Sequence, residues 1–226
     1  MRTQVQAVLA GAVDPGFSPD GASAIAKAVV DDGPRTVHWT GIEGDAVADL
    51  VNHGGRDKAI HHYPRDHYLR WRLELGLDPG HRPLLDRAGA FGENISTLGW
   101  QEGAVCIGDR FRMGTALVEI AQGRQPCWKQ GHRLGSSAVV AAMVASGRTG
   151  WYYRVIEEGS VAAGDMIELI SRVHPEWNVA RVFGLLIGGR HKGARAELKE
   201  LSRLRELADG WRERGAKLAG SPGTAG

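Results

Sequence analysis

Residues 116–129 of the 226-residue chain read ALVEIAQGRQPCWK. The first part, Ala116 to Ala121, is a short apolar run of the kind that forms a buried strand. It passes into a turn-like segment, residues 123–129, that contains Cys127. Because a loop at the end of a strand presents its side chains to a cavity, this stretch predicts a barrel strand that leads into a site.

Short apolar runs of the same kind recur from Val5 to about Ser171, separated by Gly, Pro and Asp. They include residues 26–30, 59–63, 111–113 and 166–170. The 32 glycines exceed average usage and indicate many tight turns between strands. The pattern predicts a mainly β, α+β fold: a β-barrel domain over residues 1–173 with peripheral helices.

Two helices are expected to interrupt the barrel. The first opens with Pro64 in its first turn and carries Tyr68, Trp71 and Leu75; the second runs from Ser137 to Ala145.

The composition changes after His174 to Ala, Leu, Arg and Glu. Apolar residues follow at helical spacing, at Leu198, Leu201, Leu204 and Leu207. Residues 174–218 are therefore predicted to form a separate helical module. The small, uncharged residues 219–226 are expected to be a flexible tail.

Composition excludes several classes of protein. The apolar fraction of 42% and the charged fraction of 24% are those of an ordinary globular chain, neither disordered nor embedded in a membrane. No apolar run is long enough to cross a bilayer and the start lacks a signal-peptide pattern, so a cytoplasmic protein is expected. A net charge of +2 gives no general reason to bind nucleic acid.

The two cysteines differ in their neighbours. Cys127 lies between Arg124 and Lys129, and nearby cations stabilise the thiolate that attacks electrophiles and binds metals. A cysteine beside basic residues is often inert, so the local sequence leaves both interpretations open. Cys106, in the apolar segment AVCI, is predicted to be a buried structural thiol.

Other residues suggest an anion site. His53 precedes Gly54 and Gly55, where a bare backbone either approaches a ligand or simply turns. Phosphate recognition favours Lys and Arg together with exposed backbone N–H groups. The candidate cations are Lys27, Arg56, Lys58 and Arg124. Glu93 and Asn94, in a second glycine turn, are expected either to brace a loop or to touch a ligand.

Taken in order, these segments resemble the MOSC family, in particular its YiiM subgroup. The matching stretches are SAIAK (23–27), GIEGD (41–45), HGGRDKA (53–59), HYP (62–64), FGENIS (91–96), GDRF (108–111) and PC (126–127). The segment after His174 also resembles the three-helix appendix of this subgroup. The resemblance therefore covers most of the chain.

The resemblance implies a β-barrel that binds a molybdenum cofactor, with Cys127 as the sulfur ligand to the metal. A soft thiolate suits a metal already bound by dithiolene sulfurs. Lys27, Lys58 and Arg124 match basic positions that hold the phosphate and pterin. Loss of Lys27 or Arg124 is expected to reduce cofactor retention with little effect on thermal unfolding.

The activity implied by the resemblance is reduction of N-hydroxylated bases and hydroxylamines to amines. The small-molecule substrate would be reduced with electrons from a separate flavoprotein reductase, since this chain shows no flavin or nicotinamide motif.

Two alternatives remain open. A sulfur carrier would use a Cys127 persulfide and need not retain molybdenum. A non-enzymatic binding module would use the basic helical tail, although acidic residues mixed into that tail favour a solvated helix face.

Overall fold

Seven strands close into a barrel within residues 1–220, the part of the chain that this computed structural model describes. The described residues contain eleven strands, of which seven belong to the barrel. In chain order they are β1 (Arg2–Ala10), β2 (Ala28–Val29), β3 (Arg35–His38), β4 (Gly41–Ile42), β5 (Ile60–Pro64), β6 (Ile95–Thr97), β7 (Arg110–Met113), β8 (Ala116–Gly123), β9 (Trp151–Glu157), β10 (Gly159–Val161) and β11 (Met166–Ser171). The predicted mainly β, α+β barrel is confirmed.

The barrel follows the order β11, β7, β8, β9, β5, β6, β1, and pairing of β1 with β11 closes it. Closure removes the exposed sheet edges that would otherwise invite pairing with other chains. Only β5 and β6 run parallel among these neighbours. Strands β10, β3 and β4 form a small separate sheet, and β2 extends β1.

Six α-helices accompany the strands within the described residues. They are α1 (Asp66–Glu74), α2 (Trp128–Arg133), α3 (Ala138–Ser146), α4 (Val179–Leu186), α5 (Arg195–Leu201) and α6 (Asp209–Gly220). The last three form the predicted three-helix appendix. None of the helices in residues 1–220 is long and apolar enough to cross a membrane.

The C-terminal helices share the hydrophobic core of the barrel. Trp177, Phe183 and Trp211 belong to the same buried cluster as the barrel residues Phe111 and Ile120. A backbone bond also joins the two parts, since the N–H of Ala208 donates to the carbonyl of Ala121 at 2.9 Å. The segment after His174 thus completes the barrel's core. The predicted boundary between residues 1–173 and 174–218 therefore separates two parts that pack against each other in one continuous core.

Several predicted boundaries differ from the structure. Pro64 is the last residue of β5, opposite Thr97, and α1 begins at Asp66. The apolar run 26–30 forms only the short β2. The segment 123–129 is not entirely a turn, because α2 begins at Trp128.

The leucine spacing of the C-terminal segment is not wholly helical. Helix α5 ends at Leu201, and Leu204 and Leu207 follow in successive turns whose N–H groups bond three residues back. Such turns also bring every third residue to one side. Ala219 is buried within α6, so the helix passes the predicted start of the tail; residues 221–226 lie outside the described residues.

Candidate functional site

Cys127 lies where the connection after β8 enters α2. Its backbone N–H donates to Oε1 of Gln130 at 2.7 Å, which fixes the start of the helix. The thiol is partly exposed and lines two adjoining cavities. We call the cavity toward the barrel the inner cavity, and the one toward α6 the outer cavity. Cys127 is thus accessible from both sides.

The surroundings of Cys127 favour its thiolate. Burial raises the pKa of the thiol, but a hydrogen bond with His53, the charge of Arg124 and the backbone N–H of Lys129 outweigh it. The net result is a pKa below the usual value for cysteine. A thiol of this kind is both a better nucleophile near neutral pH and a better metal ligand.

His53 is positioned by its own loop. Its Nδ1 lies 3.4 Å from Oδ2 of Asp49, and its backbone N–H donates to the Asp49 carbonyl at 2.9 Å. The Asp49 carboxylate also accepts from the backbone and side chain of Asn52, and these bonds lower its pKa to about 2. Asp49, His53 and Cys127 therefore form a hydrogen-bonded series that ends at the thiol.

Cations outnumber carboxylates around the inner cavity. Its lining contains Lys27, Lys58, Arg124 and Lys129, against Asp45 and Asp49. Desolvated positive charge in excess of its counter-ions stabilises a bound anion. The inner cavity is therefore suited to an anionic group.

Lys27 is held in this cavity by a buried network. Its ammonium lies 2.5 Å from Oδ2 of Asp45, and the two side chains are only 9% and 7% exposed. Asp45 also accepts from the Gly11 backbone at 3.0 Å and from Nδ2 of Asn94 at 2.8 Å. Burial lowers the pKa of Lys27, and Asp45 opposes that shift. One ion pair uses only part of the ammonium's donor capacity.

Arg124 is the second buried cation. Its guanidinium donates to the Phe91 carbonyl and lies 3.4 Å from Nδ1 of His61. Burial and the Arg124 charge hold the pKa of His61 well below its usual value, so His61 is a neutral imidazole. The positive charge in this part of the cavity belongs to Arg124 and Lys27.

The outer cavity is larger, about 710 Å³ against about 80 Å³ for the inner one. Its walls come from three separate parts of the chain: the loop 49–58, the segment 125–129 after β8, and residues 208–211 at the start of α6. Gln122 and Tyr152 also line it. The C-terminal segment thus forms one wall of the site, although no candidate residue was predicted there.

The predicted glycine pair has a structural role that the sequence left open. A Cβ on Gly54 would meet the Leu50 carbonyl at 2.9 Å, so the loop's own backbone requires glycine there. Gly55 has φ of 97°, which favours glycine, and faces open space beside the outer cavity. Arg56 stacks on Trp39, with its Cζ 4.7 Å from the ring centroid.

The predicted site residues gather around Cys127 with one exception. Lys27, Asn94 and Arg124 line the inner cavity; Gly54, Gly55 and Arg56 line the outer one; His53, Lys58 and Cys127 line both. Glu93 lines neither. Its buried carboxylate accepts from Tyr68 and from the backbone of Gly89 and Phe91, so it braces the glycine turn.

Asp49, His61, Gln122 and Tyr152 are among the cavity residues that were not predicted as ligands. Asp49 and Gln122 carry no motif signal. His61 was visible as one of two adjacent histidines, whose side chains must point to opposite faces of a strand. The structure directs His61 to the cavity and His62 to Thr97 and Tyr153.

Cys106 is the buried thiol that the sequence predicts. It is 2% exposed and lies outside both cavities. Burial raises the pKa of its thiol to about 11. Of the two cysteines, Cys127 lines both of these cavities and has surroundings that lower its pKa, whereas Cys106 does neither.

Comparison with known proteins places this arrangement in a family. The family profile described as the MOSC domain matches residues 49–168, more than half of the chain. The chain belongs to the MOSC domain family. This MOSC protein is 45% identical over 151 residues to Protein YiiM of Escherichia coli, and 38% identical over 152 residues to a protein named Reductase from Gibberella moniliformis. Each alignment covers 67% of this chain. The first spans 65% of the length of the bacterial protein and the second 26% of the length of the fungal protein.

Solved structures show the same fold. The crystal structure of YiiM from Geobacillus stearothermophilus has a TM-score of 0.78 at 28% identity, covering 96% of this chain and 99% of that one. YiiM from Escherichia coli has a TM-score of 0.77 at 33% identity, covering 96% and 92%. The likeness therefore includes the C-terminal helices, beyond the region matched by the family profile, and supports the YiiM subgroup.

Proposed function

We propose that this MOSC protein is a molybdenum cofactor-dependent reductase that converts N-hydroxylated bases and hydroxylamines to amines. Electrons would come from a separate flavoprotein reductase. The observation that supports this most is the position of Cys127, an ionisation-prone thiol between a cation-lined inner cavity and a larger outer one. The relative named Reductase is consistent with it.

The residues present fit such a cofactor. Lys27 and Arg124 offer buried positive charge to a phosphate, and Lys58 and Lys129 add charge beside the thiol. The Cys127 thiolate is a soft ligand suited to molybdenum. His53 and Asp49 would keep that thiolate oriented and hydrogen-bonded, as partners behind metal ligands commonly do.

When bound, the cofactor would supply the electron pair that cleaves the N–O bond. The substrate also takes up two protons, and the hydroxyl oxygen leaves as water. The outer cavity gives a small molecule access to the thiol from the side of α6. His53, between Asp49 and Cys127, is placed to hold a proton next to the reacting end of that cavity.

The test compares the two cysteines in protein made by a cofactor-producing host. Cys127→Ala should abolish reduction of an N-hydroxylated purine or benzamidoxime when a suitable reductase is supplied, because the metal loses its protein thiolate. Cys106→Ala, the matched control, should keep turnover and lose only modest stability, since it removes one small buried group. Molybdenum content is measured for all three proteins.

The outcome also separates the alternatives. Parent protein that retains no molybdenum, but carries a persulfide on Cys127 detectable by mass spectrometry, would favour the sulfur carrier. Equal reductase activity of Cys127→Ala and the parent at matched molybdenum content would refute the proposal.

A further inference from the structure

Two polar side chains in the outer cavity have no role in the scheme above. Gln122 on β8 lies directly opposite Tyr152 on β9, and both line the outer cavity. Tyr152 also lines the inner cavity beside Cys127. The pair therefore lines the outer cavity that also contains the thiol of Cys127.

A β-bulge aims Gln122 at the cavity. Ile120 pairs with Tyr153 and Gln122 with Tyr152, so Ala121 is an extra residue in β8. In a regular strand Gln122 would share the core face with Ile120, because alternate residues lie on one face; the bulge instead puts Gln122 on the face of Tyr152. The carbonyl of the extra residue Ala121 accepts a hydrogen bond from the backbone N–H of Ala208, which belongs to the C-terminal segment that lines the outer cavity.

The polar atoms of this pair are largely unused. Among the described residues the Tyr152 hydroxyl has no hydrogen-bond partner, although its ring packs 5.0 Å from that of His61. The Gln122 amide makes a single long contact, 3.4 Å from its Nε2 to the Gly123 carbonyl. Its Oε1 has no partner within residues 1–220. Burial raises the pKa of Tyr152, so the hydroxyl remains a neutral donor.

The chemistry of these groups defines a ligand. A carboxamide offers one acceptor and one donor side by side, which is the complement of a ring nitrogen next to an exocyclic N–H. Glutamine pairs with adenine edges by this two-bond geometry. Trp128, 40% exposed, is an aromatic residue in the lining of the same cavity, and aromatic side chains favour contact with planar rings.

We propose that the outer cavity is a binding site for planar cyclic amidines such as aminopurines, with Gln122 pairing to the amidine edge and Tyr152 donating to a further ring nitrogen. The proposal deepens the function given above, because it rests on that function for the N-hydroxylated form of the substrate. N-hydroxylated aminopurines carry this edge, since a ring nitrogen lies next to their exocyclic N–H. Simple hydroxylamines lack it, so the site selects among substrates of the same reaction.

The test measures binding of the amine product, which needs no turnover. Calorimetry compares adenine with purine, which has the same ring but no exocyclic amine, on the protein as purified. The parent should bind adenine more tightly. Gln122→Leu should remove most of that preference, a loss of roughly ten-fold in adenine affinity for a bonded pair of this strength.

Two further variants keep the result interpretable. Tyr152→Phe removes a hydroxyl with no partner in the described structure, so it should fold normally and weaken both ligands alike. Gln101→Leu is the matched control, since Gln101 is exposed and outside both cavities. Thermal unfolding confirms that each variant is folded.

Kinetics then separates this proposal from the general one. With supplied reductase, Gln122→Leu should raise KM for an N-hydroxylated aminopurine and leave KM for phenylhydroxylamine unchanged. Equal adenine and purine affinities in the parent, or an unaltered preference in folded Gln122→Leu, would overturn the amidine site. Adenine selectivity in a parent that reduces neither substrate would refute the reductase function and leave the binding site standing.

Discussion

Removal of Lys27 tests whether this cation serves only the bound group or also the fold. Lys27→Ala leaves the Asp45 carboxylate, 7% exposed, without its counter-ion. Breaking a buried pair in this way costs about 3–5 kcal/mol. Asp45 keeps its bonds from Gly11 and Asn94, so the lower end, about 3 kcal/mol, is expected. In a chain of this length that is a fall in Tm of roughly 6–12 °C.

Urea unfolding followed by circular dichroism measures this loss. Lys192→Ala, at an exposed lysine, is the control and should change the free energy of unfolding by less than about 0.5 kcal/mol. Adding Asp45→Asn to Lys27→Ala removes the orphaned charge and should recover at least about 1 kcal/mol. If Lys27→Ala and Lys192→Ala unfold at the same urea concentration, the pair contributes nothing to stability, and the sequence-based expectation of a purely ligand-binding lysine stands.

Three other predictions follow from the same contacts. Arg124→Ala should lower molybdenum content, measured by elemental analysis of protein from a cofactor-producing host; full retention at raised ionic strength would contradict its anchoring role. Iodoacetamide should modify Cys127 near neutral pH, whereas Cys106, with a pKa of about 11, should stay unmodified. His53→Ala should raise the pKa of Cys127 and shift its labelling to higher pH. An unchanged dependence of labelling on pH would exclude the hydrogen bond between His53 and Cys127. Deletion of residues 174–226 should prevent folding of the barrel because the helices share its core, and a soluble fragment with cooperative unfolding would refute that interdependence.

The barrel strands were readable from the sequence where burial is local and regular. The runs that became β8 and β11 are apolar at most positions, and β7 alternates Phe111 and Met113 with arginines, so these patterns predict strands with a buried face. The helix at Trp128–Arg133 was not predicted, because it is short, contains glycine and follows proline. The start of this helix is fixed by the backbone N–H of Cys127, which donates to the side chain of Gln130, and no sequence pattern shows that bond.

The sequence by itself determined the family-like order of motifs, favoured Cys127 over Cys106 as the candidate reactive thiol, and identified several of the residues around it. These are properties of short segments, in which residue type and neighbours carry the signal. It could not decide whether Glu93 braces or binds, because that depends on where the backbone of Gly89 and Phe91 lies.

Only the tertiary structure determined the outer cavity. Its walls come from the loop 49–58, the connection after β8 and the start of α6, which lie far apart in the chain. The aim of Gln122 depends on an extra residue in a strand register, and the counter-ion of Lys27 is 18 residues away. Such features depend on distances between segments that are remote in the sequence. Those distances are set only when the whole chain folds.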